Sequence, residues 1–76
     1  MKRKAIRCLA LCALPAGSEE RHCFKETICK QHSEKAIAAK LEELTGKGYI
    51  EYGTSVWGAW LTQKGEFTLA REVQTS

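Results

Sequence analysis

Four cysteines and two histidines, all within the first half of this 76-residue chain, are the side chains whose chemistry is most easily named. Cys8 and Cys12 stand one helical turn apart, Cys29-x-x-His32 has the spacing of a pair of metal ligands, and His22 adjoins Cys23. Structural zinc ordinarily relies on a Cys-x-x-Cys knuckle, because one tight turn must offer two thiolates to the same ion, and no such knuckle is present. The chain also lacks Asp and Asn, which leaves Glu among the usual hard-metal ligands. No metal site and no cofactor is expected. A Cys–His nucleophile pair would need an orienting carboxylate and an oxyanion loop, and the sequence displays neither, so no enzymatic activity is expected. The thiols are left with two roles. Cys8, Cys12 and Cys23 lie on or beside apolar faces, where free cysteine packs as a small hydrophobe. Cys29 and Cys12 are the candidates for a redox-sensing thiol.

Cations and aromatics make two further clusters. Lys2, Arg3, Lys4 and Arg7 carry four of the twelve Lys and Arg residues, and the remaining eight face nine Glu. The net charge of +3 therefore comes from the start of the chain, and attraction to a polyanion would too. Such a run serves either as an arm that tracks phosphates or enters a minor groove, or as a solubilising helix end. The absence of Asn removes the side chain that most readily pairs with adenine. Tyr49, Tyr52, Trp57 and Trp60 concentrate aromatic area in one short stretch. Strand alternation cannot bury them all: with Ile50, Ala59 and Leu61 inward, Trp60 points outward with Tyr49 and Glu51. An outward Trp beside Tyr has the composition of a protein-contact hot spot, so Trp60, Tyr49 and Trp57 are the candidate protein-contact residues.

The elements that must position these residues follow from periodicity and capping. Residues 3 to 14 read as an amphipathic helix with Ile6, Leu9, Ala10, Ala13 and Leu14 on one face and Arg3 and Arg7 on another. Pro15-Ala16-Gly17 ends it. Ser18 caps a second helix, with Glu19 and Glu20 in the first turn where the helix dipole favours negative charge, running to about Lys30 and burying Phe24 and Ile28 with help from Cys23. Ser33 caps a third, which lines up Ile37, Leu41 and Leu44 and stops at Gly46 or Gly48. The period then changes. Residues 49–52 and 56–61 read as two strands joined by the short turn Gly53-Thr54-Ser55. Thr62 caps a last helix from Gln63 to about Val73, expected to bury Phe67, Ala70 and Val73. The order is H-H-H-E-E-H in a single α+β domain covering residues 1–76, near the lower size limit for a self-sufficient core.

The run from Ser33 through Lys47-Gly48-Tyr49-Ile50-Glu51, followed by Leu61-Thr62-x-Lys64-Gly65, resembles the recognition helix, wing and following helix of winged helix-turn-helix regulators, the MarR-type family being the nearest comparison. Each shared residue has a physical reason: Gly48 permits the sharp exit from helix to strand, Ile50 and Leu61 plug the hairpin onto the core, and Gly65 permits close packing. The resemblance implies a small winged helix-turn-helix fold and a DNA-binding function. It places the base-reading positions at Glu34, Lys35, Ala38 and Ala39 and the wing tip at Gly53, Thr54 and Ser55. Of these, only Lys35 has a side chain suited to base edges, and the wing carries no cation.

Two functions from different classes follow. In the first, the protein is a small transcriptional or accessory regulator that holds duplex DNA with Lys35, Lys30, Gln31 and Lys40, with Thr54 and Ser55 at the wing, and with Lys2, Arg3, Lys4 and Arg7. In the second, it is a protein-interaction module of the kind a phage or plasmid adaptor or inhibitor uses, meeting its partner through the aromatic hairpin. A monomer or a small homodimer through the first or last helix is expected. The start of the chain imitates a signal peptide, but Arg7 borders an apolar run of only seven residues, Cys8 to Leu14, and no clean A-x-A site follows. Cleavage near Gly17 would also remove a helix that the fold needs. Leu11 stands where a lipoprotein signal has a small residue. The expected compartment is the cytoplasm, with no membrane association.

Overall fold

The computed structural model describes residues 1 to 75. It contains α1 (Arg3–Ala13), α2 (Glu19–His32), α3 (Glu34–Gly46), β1 (Ile50–Glu51), a 3-10 turn (Val56–Gly58), β2 (Trp60–Leu61) and α4 (Gln63–Thr75). Four helices and one antiparallel hairpin make an α+β fold, in the order the sequence leads one to expect. No helix among the described residues is long and apolar enough to cross a membrane.

Local chemistry sets the boundaries. Ser18 Oγ accepts from the Arg21 amide at 3.1 Å and Ser33 Oγ accepts from Ala36 at 3.1 Å, each satisfying an orphan donor of a first turn. Ser33 is the single residue between α2 and α3, and its φ of 76° turns the chain sharply in a region that side chains seldom visit. α3 ends in a Schellman motif: Gly48 takes φ 85°, the Tyr49 amide reaches back to Leu44 O at 3.0 Å, and the Gly48 amide to Thr45 O at 3.1 Å. At the last helix Thr62 Oγ1 accepts from the Gly65 amide at 3.2 Å while its hydroxyl lies 2.6 Å from Gly48 O and 3.0 Å from Tyr49 O, which locks the start of α4 to the exit from α3.

α1 lies at the centre and packs against α2, α3, α4 and β2. The core joins Ala5, Cys8, Leu9, Leu11 and Cys12 of α1 to Ile28 of α2, Ile37, Leu41 and Leu44 of α3, and Ile50 and Ala59 of the hairpin region. Ile50 pairs with Leu61 and Glu51 with Trp60, so Ile50 points inward and Trp60 outward.

Four expectations need correction. The buried face of α1 is turned toward Cys8 and Cys12; Ile6 and Ala10 are half-buried and Ala13 is exposed. Cys23 is exposed and adds nothing to the α2 core face. Residues 56–58 form a 3-10 turn capped by Ser55, not strand, so the ladder is two residues on each side and its connection is longer than Gly53-Thr54-Ser55. Most consequentially, α4 docks by Gly65 and Leu69. Phe67 and Val73 are 64% and 61% exposed, and Ala70 is exposed beside them. Gly65 lies against the Tyr49 carbonyl, and the helix approaches by its smallest residue rather than by its bulkiest ones.

Candidate functional site

The best-placed polar surface is the corner between α2 and α3. Lys30 and Gln31 lie in the last turn of α2 and Lys35 in the first turn of α3, with Ser33 between them, and all four are exposed. Neither lysine forms an ion pair among the described residues. Beyond Lys35, Ala38 is half-buried and Ala39 exposed, so the outer face of α3 is unobstructed by bulky groups, though Glu34 and Glu42 border it. Thr54 and Ser55 are exposed at the hairpin connection, and Ser55 Oγ is occupied by the Trp57 amide at 3.2 Å.

The other predicted DNA contacts lie elsewhere. Lys40 is half-buried and donates to Glu43, whose carboxyl is held below its ordinary range first by that bond and then by the charges of Lys40, Lys47 and Lys4. Helix α1 begins at Arg3, so the basic start is a helix turn instead of a free arm. Arg3 is exposed and Arg7 half-buried, while Lys2 borders an open cleft with Lys40, Lys47, Lys64 and Arg71. Lys47 follows Lys35 by twelve positions, about 18 Å of helical rise, so the cations divide between the two ends of α3.

The three candidate protein-contact aromatics also divide. The Trp57 ring is half-buried under the Lys25 ammonium, 4.3 Å from its centroid, and the Tyr49 ring lies 4.6 Å from Lys64. Only Trp60, at 49% exposure, faces outward, on the rim of an apolar groove with Leu14, Pro15, Leu61, Leu69 and Val73.

One residue that shapes this region escapes sequence reasoning. Arg21 is 6% exposed and donates to three backbone carbonyls: Leu14 O at 3.0 Å, Trp57 O at 2.9 Å and Ala59 O at 2.8 Å. Its planar guanidinium fork can satisfy acceptors from two separate segments at once, so it ties the end of α1 to the 3-10 turn. A lone Arg after two Glu in a first helical turn reads as solvated surface, and nothing in its spacing says otherwise.

Two of the four thiols, Cys8 and Cys12, behave as core atoms. Burial pushes the Cys8 thiol up to about 11, with Cys12 adding to the rise and Lys40 and Lys4 opposing it. Burial likewise pushes Cys12 up to about 11 against the nearby Arg21 charge. Cys29 is raised by burial and then by Glu34. Burial of Cys12, which also raises its thiol pKa, argues against the redox-sensing role considered for it, since reactivity belongs to the accessible thiolate. In the native protein, an aromatic disulfide reagent at neutral pH should modify exposed Cys23 first, with Cys8 and Cys12 reacting only on unfolding. Raised thiol pKa values favour the neutral form in the fold, so their contribution to stability is complete below pH 9 and is lost as pH climbs through about 11. Melting temperature should accordingly fall across that alkaline window, and native Cys8 or Cys12 reacting as fast as Cys23 would contradict the assignment. Among the described residues no three His, Cys or acidic groups gather as a metal site.

No protein-family model, curated protein or solved structure matches the chain.

Proposed function

We propose that the chain is a small winged helix that binds duplex DNA, with α3 as the helix that enters the groove and the α2–α3 corner as its contact with the backbone, in the role of a transcriptional or accessory regulator. The observation that supports this is the gathering of Lys30, Gln31 and Lys35 at one exposed corner, beside an α3 face of small side chains. Lysine supplies the phosphate contacts that dominate non-specific affinity, and Lys35, in the first turn of α3, is the side chain that would reach base edges. The modest number of cations limits this to weak, salt-sensitive binding of the non-specific class, about 10⁻⁴ to 10⁻⁶ M at physiological salt. Titrating a fluorescent random-sequence duplex and following anisotropy across a salt series tests it. The doubly neutralised variant Lys30→Gln, Lys35→Gln should flatten the slope of log K against log salt by about 1.8. An unchanged slope, or no duplex binding at low salt, would remove this reading.

A second reading is carried by Trp60. A half-exposed indole on an apolar groove is the composition of a protein-contact centre, and it lies away from the α2–α3 corner. Should duplex binding be absent, this groove is where a protein partner would be sought.

A further inference from the structure

We propose that the cleft between the start of α1, the end of α3 and α4 binds single-stranded nucleic acid, with phosphates held by Lys2, Lys47 and Lys64 and a base stacked on Phe67. The cleft is open and about 1550 Å³ in volume. Of its carboxylates, Glu43 pairs with Lys40 and Glu72 with the N-terminal ammonium at 3.1 Å, while Lys2, Lys47 and Lys64 add positive charge to its walls. Lys64 is held in place: its ammonium donates to Lys47 O at 2.9 Å and rests over the Tyr49 ring, leaving donor capacity for a phosphate.

Phe67 gives the site its character. It is 64% exposed on the cleft wall, although an aromatic ring normally contributes to a core. An exposed ring among cations is the pairing that single-strand binders use, since every base offers a π face and every nucleotide a phosphate. A duplex stacks its bases on one another and leaves no face for Phe67. The cations and the ring address phosphates and base faces, which DNA and RNA strands share. The site lies at the opposite end of α3 from the corner assigned to duplex DNA, and each can fail without the other.

The experiment is a titration of fluorescein-labelled ten-nucleotide oligo-dT and oligo-rU, with a 20-bp duplex in parallel, against the wild type, Phe67→Ala, Phe67→Trp and the double variant Lys2→Gln, Lys47→Gln. Phe67 is exposed, and equal melting temperatures establish that its variants fold. We expect Phe67→Ala to weaken oligonucleotide binding roughly 5- to 140-fold, from the loss of one stacked base, with Phe67→Trp restoring it. The double lysine variant should flatten the single-strand salt slope by about 1.4. Duplex binding should follow Lys30 and Lys35 and ignore Phe67. Comparable affinity for dT and rU supports the shared chemistry, and a strong preference for rU would overturn that part. Failure of the wild type to bind either oligonucleotide at low salt, equal binding by Phe67→Ala, or an equal loss on the duplex would each overturn the proposal. Displacement by poly-glutamate as readily as by unlabelled oligo-dT would also overturn it, in favour of an acidic protein segment.

Discussion

Gly65→Ala should cost at least about 3 kcal/mol of stability, at the top of the usual range for overpacking. A Cβ at this position would lie 2.0 Å from Tyr49 O, 3.1 Å from Tyr49 C and 3.2 Å from Leu61 Cδ2. The carbonyl is held in place because it accepts from the Thr62 amide at 3.1 Å. The helix must therefore shift outward, which breaks the cap that starts it. The sign makes the test decisive. Helix propensity alone predicts that alanine gains about 1 kcal/mol over glycine in a helix interior. Urea unfolding followed by far-ultraviolet circular dichroism should show a clear fall in midpoint, and a neutral or stabilised Gly65→Ala would mean that α4 does not sit against the Tyr49 carbonyl.

Arg21→Met should be nearly as damaging, with a loss of about 2–4 kcal/mol. The substitution removes the donor for three carbonyl oxygens, one of them in a buried bond. An unsatisfied buried acceptor costs about 1–3 kcal/mol; water reaching the two partly buried carbonyls reduces the total, and relief from burying a guanidinium offsets part of it. A domain of this size has a total stability of about 4–11 kcal/mol, so the loss is a large share of it. Arg21→Lys should recover little, since a single ammonium cannot span acceptors on two segments as the fork does. Loss of the near-ultraviolet signal of Trp57 should accompany the fall in denaturation midpoint. An Arg21→Met protein within about 1 kcal/mol of wild type would show that the three bonds contribute little to the fold, within the range of an ordinary surface change.

Much of the fold is legible in the sequence because its punctuation is local. Ser18, Ser33 and Thr62 cap helices by bonds to amides three residues on, and Gly48 supplies the positive φ of a Schellman turn, so no tertiary knowledge is needed to read them. Ile37, Leu41 and Leu44 likewise declare the face of α3. The misreadings share one physical cause: which face of a helix is buried depends on what it meets. In α4 the apolar spacing of Phe67, Ala70 and Val73 conflicts with a face built on Gly65 and Leu69, and a hydrophobicity pattern gives glycine no weight even when it permits the closest approach. In α1 the cysteines invite a chemical role, while Cys8 and Cys12 are core hydrophobes that rotate the helix away from the face expected from Ile6 and Ala13. Val56 and Trp57 have strand composition, but Ser55 caps a 3-10 turn there and Arg21 fastens it from across the chain. The candidate site was legible at Lys30, Gln31 and Lys35, which are neighbours in sequence. The division of the remaining cations between the two ends of α3 was not, since it depends on α1 and α4 meeting.

The way α4 is fastened has a consequence for how the molecule fluctuates. Among the described residues, α4 contributes to the interior only Gly65, with Leu69 half-buried, whereas α1 and α3 are joined through Cys8, Leu9, Ile37, Leu41 and Leu44. Local opening follows the distribution of buried contacts, and an element held by few of them separates at a free energy well below that of global unfolding. α4 is accordingly expected to open at a lower free energy than the α1–α3 pair. Because it forms one wall of the cationic cleft and carries the exposed Phe67, this motion would change the width of that cleft without disturbing the α2–α3 corner at all.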